Sequence, residues 1–230
     1  MTIQEAHYQF KLNMDRIDSH TNPDFNKAEI DWLLNEARLI YIKKRFNNAN
    51  LSFEETLKRI EDLADLVVSY PEQPEFTLST VNGVAELKLS TLKYPHLFIV
   101  NVTAFKVSND CTLQRDVYFV QHDDLNSVLK NPFRKNDVFY TYGKSSDSTG
   151  TSLYFYNLSN SKVRVTYIKN PSRLFSGGYA YIDGVTYPPS SSLEIKFAEE
   201  VIDIATQLAA LNVESPEYIQ LKERKIAVNE

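Results

Sequence analysis

The sequence predicts an α+β fold, a helical bundle from N- and C-terminal helices with an inserted antiparallel β-sandwich or barrel. Three observations carry that prediction. Apolar residues recur at helical spacing over residues 1–70, the period drops to two over 71–190, and helical spacing returns over 191–230. The expected domains are a bundle made of 1–70 with 191–230, and an inserted β domain of 71–190.

The first helix is marked by Ile3, Ala6, His7, Phe10, Met14 and Ile17, one narrow apolar stripe. A break at Ser19–Asn22 and the helix-stopping Pro23 follow. Asn26 with Glu29 three residues on is a capping-box pattern that starts a second helix, and Asn47–Asn50 ends it. Ser52 with Glu55 repeats the pattern and opens a third helix striped by Phe53, Leu57, Ile60, Ala64, Val67 and Val68. Pro71 and Pro74 close the block.

The central block holds β-branched and aromatic runs: EFTLSTV, AELKLS, LFIVNVTAFKV, LQRDVYFVQ, DVFYTYG, TSLYFYNL and KVRVTYI. Turn formers separate them, among them Asn82-Gly83, Asn109-Asp110 and the cluster Gly143–Gly150. Short strands at this spacing suggest a sandwich or small barrel. LNSVLKNPF has room for one short helical turn.

In the last block Ser191 and Glu194 form another capping box. Leu193, Phe197, Val201, Ile202, Ile204, Ala205, Leu208, Ala209 and Leu211 then make a broad apolar arc, with Glu199, Glu200, Asp203, Thr206 and Gln207 on the remainder. Ser215-Pro216 starts a polar closing helix. The simplest assembly packs this broad arc against the N-terminal helices.

The second helix, EIDWLLNEARLIYIKKRF, has more apolar surface than one stripe requires. Ile30, Leu33, Leu34, Ala37, Ile40 and Tyr41 gather on one face, while Trp32, Leu39 and Phe46 fall opposite with Ile42 beside them. Either the second face meets the C-terminal helix of the same chain, or it packs on another subunit, where large aromatics are favoured anchors.

Composition narrows the function classes. A net charge of −5 without a long basic block argues against tight nucleic-acid wrapping, which rests on neutralising phosphates. Arg38 and Lys43-Lys44-Arg45 scatter over both flanks of their helix, which suits a solvated or salt-bridged role. The single Cys111, in the turn-like SNDCTL, has no intrachain partner and fits a reducing compartment. The N-terminal residues lack a signal-peptide core, and no run reaches the roughly 20 apolar residues of a membrane helix. A cytoplasmic site of synthesis is expected.

Catalytic constellations are not legible. His7, His20, His96 and His122 are dispersed, with no HxH, HxxxH or HExxH spacing, so no metal is expected. His122-Asp123-Asp124 reads as a solvated turn after a strand, and His7 as a core-edge histidine. No GxSxG, GxGxxG or phosphate-loop pattern occurs, and Ser176-Gly177-Gly178 is too short to cradle a phosphate. The expected activity is non-enzymatic, with no cofactor. The segment from Pro171 to Gly184 carries Leu174, Phe175, Tyr179 and Tyr181 with Arg173. It is either a loop pinned by its own aromatics or an assembly loop that docks on a neighbour.

Two stretches carry a resemblance. EIDWLLNEARLIYIKKRF resembles the LNEA-bearing helix of head-to-tail and tail-barrel ring (connector) proteins of crAss-like bacteriophages. IKFAEEVIDIATQLAALNVESPEYIQLKERKI resembles the closing element of that family, a helix followed by an N-x-E-S-P-x-Y turn and a polar helix, and KVRVTYIKNPSRL has a similar strand. The matched positions are Ile30, Leu33, Leu34, Asn35 and Ala37, then Val201, Ile202, Ala205, Ser215, Pro216 and Tyr218. Arg38 stands where the family pattern has Gln.

The resemblance covers about the first 50 and last 60 residues. It implies a virion structural protein, a portal adaptor or tail ring of about twelve copies around the DNA channel. The implied partners are copies of itself, the portal and neighbouring tail ring proteins, with DNA passing through unread and no membrane contact. Assembly in the bacterial host cytoplasm and a place in the virion follow from the same likeness. The candidate subunit-interface residues are Trp32, Leu39, Phe46, Arg173, Phe175, Tyr179, Tyr181 and Tyr218. The alternative is a tail-associated β-sandwich module that binds a carbohydrate or receptor; an enzyme would need His96 or His122 to converge on Cys111 or carboxylates.

Overall fold

A helix that begins at Ile3 needs its first backbone N–H groups satisfied, and two neighbours do this reciprocally. Thr2 N donates to Glu5 Oε2 at 2.9 Å and Glu5 N donates to Thr2 Oγ1 at 3.3 Å. Asn26 and Glu29 do the same for the next helix, at 2.9 and 3.0 Å, as their spacing predicts. The computed structural model describes residues 1–17, 25–47, 63–78, 80–81, 84–108, 111–146, 150–158, 162–179, 184, 189–190 and 198–212, without the side chains of 80–81, 106–108, 111–113 and 211–212. The third-helix pattern from Ser52 to Ile60, the Ser19–Asn22 break, the Ser191–Glu194 box and the closing helix lie outside these residues.

The fold is α+β, and the chain divides into two units, one of Met1–Asp65 with Pro171–Glu230 and one of Leu66–Asn170. The segment after Asn170 therefore groups with the helices, whereas the sequence pattern placed everything to residue 190 with the strands.

The helical unit contains α1 (Ile3–Ile17), α2 (Lys27–Asn47) and α4 (Ala198–Asn212). α4 packs on both α1 and α2. Ile3, Ala6, Phe10 and Met14 of α1, Ile30, Leu33, Leu34, Ala37, Tyr41 and Ile42 of α2, and Val201, Ile202, Ala205, Ala209 and Ala210 of α4 are buried. The alanines on α4 let the helices approach closely. Phe10 meets Phe25 edge-on, ring centroids 5.6 Å apart. Two expectations are corrected here. Ile40, grouped with the buried face of α2, is 39% exposed, while Ile42, grouped with the other, is fully buried. Thr206, placed on the polar side of α4, is buried, its hydroxyl donating to Ile202 O at 2.8 Å in place of water.

The other unit is one curled, mixed sheet, a half-barrel, in the strand order β1-β9-β5-β6-β7-β8-β4-β3 with β2 also on β9. Its strands are β1 (Val67–Val68), β2 (Phe76–Thr77), β3 (Thr80–Val81), β4 (Val84–Lys88), β5 (His96–Ser108), β6 (Cys111–Phe119), β7 (Val138–Lys144), β8 (Thr151–Tyr156) and β9 (Lys162–Lys169). Alternation explains the core: Ala85 and Leu87, Leu153 and Phe155, and Val163, Val165 and Tyr167 all point inward and are buried. Gln73, also buried, accepts from Lys93 N at 2.9 Å and Tyr167 Oη at 3.2 Å, which keeps its amide paired inside the unit.

Three local readings change. Ala64–Leu66 is a 3₁₀ turn and Val67–Val68 pairs with Ile168 and Tyr167 of β9, so these residues do not continue a helix. Cys111 opens β6 opposite Ser108 instead of lying in a turn. LNSVLKNPF belongs to a full helix, α3 (His122–Lys130), followed by a 3₁₀ turn at Pro132–Arg134. That helix has a topological consequence. It separates β6 from β7, which pair in parallel through Val117↔Val138, Tyr118↔Phe139 and Phe119↔Tyr140, and parallel neighbours need such a crossover. The sheet is therefore mixed, where the sequence suggested antiparallel pairing throughout.

Candidate functional site

α2 has three sides, and each does something different. One is the apolar side already described. Between it and the opposite side runs a polar row, Asp31, Asn35 and Arg38, at spacings of four and three residues that place them in line on one flank. Asp31 and Arg38 are buried, at 0% and 1% exposure. The row is occupied by the chain itself. Asn35 Nδ2 donates to Leu174 O at 3.0 Å, and Asn35 Oδ1 accepts from Leu174 N at 2.9 Å, a two-way grip on the backbone of one residue. Arg38 Nη2 donates to Ser172 O. Asp31 Oδ2 accepts from Ser176 N at 2.7 Å and from Tyr179 Oη, and Asp31 Oδ1 accepts from His7 Nε2 at 2.6 Å.

Electrostatics at Asp31 follow from that geometry. Burial pushes its pKa upward, but the hydrogen bonds from His7, Tyr179 and Ser176 outweigh it and hold the carboxyl below its ordinary value. An ionised Asp31 thus joins α1, α2 and the 171–179 segment.

The segment from Pro171 to Tyr179 lies along α2 because it offers backbone groups to that row. Leu174 and Phe175 are each 1% exposed, not the exposed anchors that their place in a loop suggested. Phe175 stacks on Tyr179 with ring centroids 4.6 Å apart. Ser190 N donates to Phe175 O at 2.8 Å, and Phe175 N donates to Ser190 Oγ at 3.1 Å, so the chain returns to its own start. Gly177 and Gly178 both take φ of +86°, a left-handed conformation that glycine adopts without steric cost, and they make the turn before Tyr179.

The interface candidates separate accordingly. Phe175 is inside the unit, Tyr179 is half-buried on Asp31, and Arg173 is exposed. Trp32 is 43% exposed, and Leu39 and Phe46 are half-buried. Tyr181 and Tyr218 lie outside the described residues. The third side of α2 thus presents Trp32 and Ile40, with Glu29 and Glu36 beside them and Lys43 further along. Arg45, near the end of the helix, pairs with Glu200 of α4 at 2.7 Å and lies over the Tyr41 ring at 5.3 Å.

The polar row was the feature that sequence reasoning missed. Its signal was present, since three polar residues at helical spacing flanked by apolar ones require a partner if the helix is buried on both sides. Of the two roles its sequence position suggests for Arg38, solvated or salt-bridged, burial overturns the solvated one.

In the sheet unit, Phe119 is 51% exposed beside Tyr140 and Tyr142, but the three rings are tilted to one another by 55–64° instead of forming a flat platform. His122 starts α3 and donates through Nε2 to Tyr142 O, on β7; Asp123 and Asp124 sit in the first helical turn, where the helix dipole favours anionic groups. His122-Asp123-Asp124 is thus a helix start and not the solvated turn its composition suggested. Among the described residues no group of three His, Cys, Asp or Glu side chains is placed to hold a metal ion, and no helix is long and apolar enough to cross a membrane. No protein-family model matches the sequence, and no curated protein matches it at a significant level.

Proposed function

We propose that this chain is a non-enzymatic structural subunit of a multi-copy ring, of the kind that joins portal to tail or stacks in the tail barrel of a crAss-like phage. The observation that carries the reading is the third side of α2. Trp32 and Ile40 stay 43% and 39% exposed after α1, α4 and the 171–179 segment have taken the other sides. A rigid helix that presents a large aromatic and an aliphatic side chain to solvent supports a protein–protein contact, where aromatic residues are enriched. The rigidity has its own source, because Asp31, Asn35 and Arg38 fix the back of the helix.

The acidic balance suits a conduit that does not hold DNA, since phosphate contacts would retard passage. In this reading the partners are further copies of the chain, the portal and adjacent tail rings, in a virion assembled in the host cytoplasm. The tilt among Phe119, Tyr140 and Tyr142 argues against the carbohydrate-binding alternative, which calls for a flat aromatic surface.

The test is light scattering after size exclusion on the full chain across a wide concentration series, with negative-stain imaging of every large species. Closed rings of many copies are expected. A single-copy mass at every concentration overturns the reading.

A further inference from the structure

A closed ring of more than two copies needs a heterologous interface, in which two different patches meet head to tail around the circle. The inference here rests on the ring reading and identifies the patch that meets α2. The α2 patch is apolar at Trp32 and Ile40 and acidic beside them at Glu29 and Glu36. Its counterpart should be a projecting apolar group with basic neighbours.

The sheet unit carries one. Phe133 is 95% exposed, the highest value among the exposed large apolar side chains of the described residues. It stands in the 3₁₀ turn Pro132–Arg134 directly after α3, a helix that buries none of its own residues. The turn is firmly mounted. Asn131 Oδ1 accepts from Phe133 N at 3.0 Å, and Arg134 Nε donates to Asp137 Oδ2 at 3.0 Å. The Arg134 guanidinium also lies 4.9 Å from the Phe139 ring and 5.3 Å from the Tyr118 ring. Lys130 and Lys135 are exposed on either side of the aromatic, while the nearby Asp137 is engaged by Arg134. A turn whose backbone is held in this way has little main-chain freedom to lose when the aromatic docks.

We infer that the Phe133 tip of one copy docks on the Trp32–Ile40 side of α2 in the next copy, with Lys130 and Lys135 facing its acidic residues. Lys43 lies toward the other end of that side, so charge places the tip at the Trp32 end.

The protein contains its own reporter, because Trp32 is the single tryptophan. The experiment follows Trp32 emission and acrylamide quenching alongside light scattering as the full chain is concentrated. Emission should move to the blue and quenching should fall as mass rises. Phe133→Ser, at a position the fold does not use, should keep the wild-type circular dichroism and require about tenfold more protein for the same mass. Lys130→Glu with Lys135→Glu should weaken assembly likewise, and adding Glu36→Lys should restore part of it; Glu29 is left intact because it caps α2. Rings that form without any change at Trp32, or Phe133→Ser assembling as the wild type does, overturn the docking and leave the ring reading standing. Failure of the charge reversal to be rescued while Phe133→Ser still blocks assembly overturns the assigned orientation. A wild-type chain of single-copy mass throughout removes the ring reading and this inference with it.

Discussion

His7 Nε2 donates to Asp31 Oδ1 at 2.6 Å, joining two helices through a carboxylate that has no solvent exposure. The same carboxylate takes Ser176 N and Tyr179 Oη, so one side chain fixes three separate segments. Its removal should be expensive, because His7, Ser176 and Tyr179 would each lose the partner that a fully buried carboxylate gives them.

Asp31→Ala should therefore lower stability by about 3 kcal/mol, in the range seen when one partner of a buried polar pair is deleted. Urea unfolding followed by circular dichroism measures it. The pH dependence has a definite sign. Because the folded-state pKa of Asp31 lies below its ordinary 3.8, its contribution is full above that value and fades as pH falls through the folded-state pKa. Asp31→Asn should flatten that acid-side loss; an unchanged acid profile would show that Asp31 is not the group responsible.

Glu86 makes a second acid-sensitive link, inside the sheet unit. The backbone N–H of Ser146 donates to Glu86 Oε1 at 3.0 Å, and the hydroxyls of Ser152 and Ser145 donate to the same oxygen at 2.7 and 3.2 Å. The Ser146 amide and then the Ser152 hydroxyl hold the carboxyl down at about 2, against an ordinary 4.5. Its stabilisation is full above pH 4.5 and disappears as pH falls toward 2. Glu86→Gln should cost about 1 kcal/mol at neutral pH and nothing once the wild-type carboxyl is protonated. Denaturant melts at the two pH values decide it.

Gly143 lies on β7 beneath the ring of Tyr154, whose hydroxyl donates to Lys144 O at 2.6 Å. A Cβ at Gly143 would fall 2.5 Å from Tyr154 Cε2. Gly143→Ala should lose about 1–3 kcal/mol, since the ring must leave its place and its hydrogen bond. Combining it with Tyr154→Ala should be clearly non-additive, the alanine at 143 costing little once the ring is gone. Additive losses in thermal unfolding would show that ring contact is not the cause.

How much of this could be read from residues alone depended on whether the controlling contact was local. Asn26 and Glu29 cap a helix across three residues, so their pattern was sufficient. The stripe through Ile3, Ala6, Phe10 and Met14 was sufficient for the same reason. Val67 and Val68 failed the test because their apolar phase suits a helix as well as a strand, and the choice is made by Ile168 and Tyr167 about a hundred residues away. The parallel β6–β7 pair is likewise decided by partners that periodicity does not specify. At the candidate site, the opposed placement of Trp32 was legible from the wheel. The role of Asp31, Asn35 and Arg38 was not, because the backbone atoms they hold at 172–176 have no sequence signature, and the side chains that also reach Asp31, those of His7 and Tyr179, lie far from it in sequence.

Phe175 and Trp32, both read from sequence as interface anchors, should respond to substitution in opposite ways. Phe175 is 1% exposed and stacked on Tyr179, so Phe175→Ala should remove about 3–5 kcal/mol of folding stability through the cavity it leaves. Trp32 has 43% of its surface in water and no hydrogen bond partner to strand, so Trp32→Ser should cost the isolated chain about 1 kcal/mol or less. In the assembled state the order reverses for Trp32, because an aromatic at the centre of a contact is where truncation typically costs about 2 kcal/mol or more of binding. Paired measurements of unfolding midpoint and assembly threshold on the two variants separate the roles. A Trp32→Ser chain that folds and assembles like the wild type would show that the exposed side of α2 is not an interface.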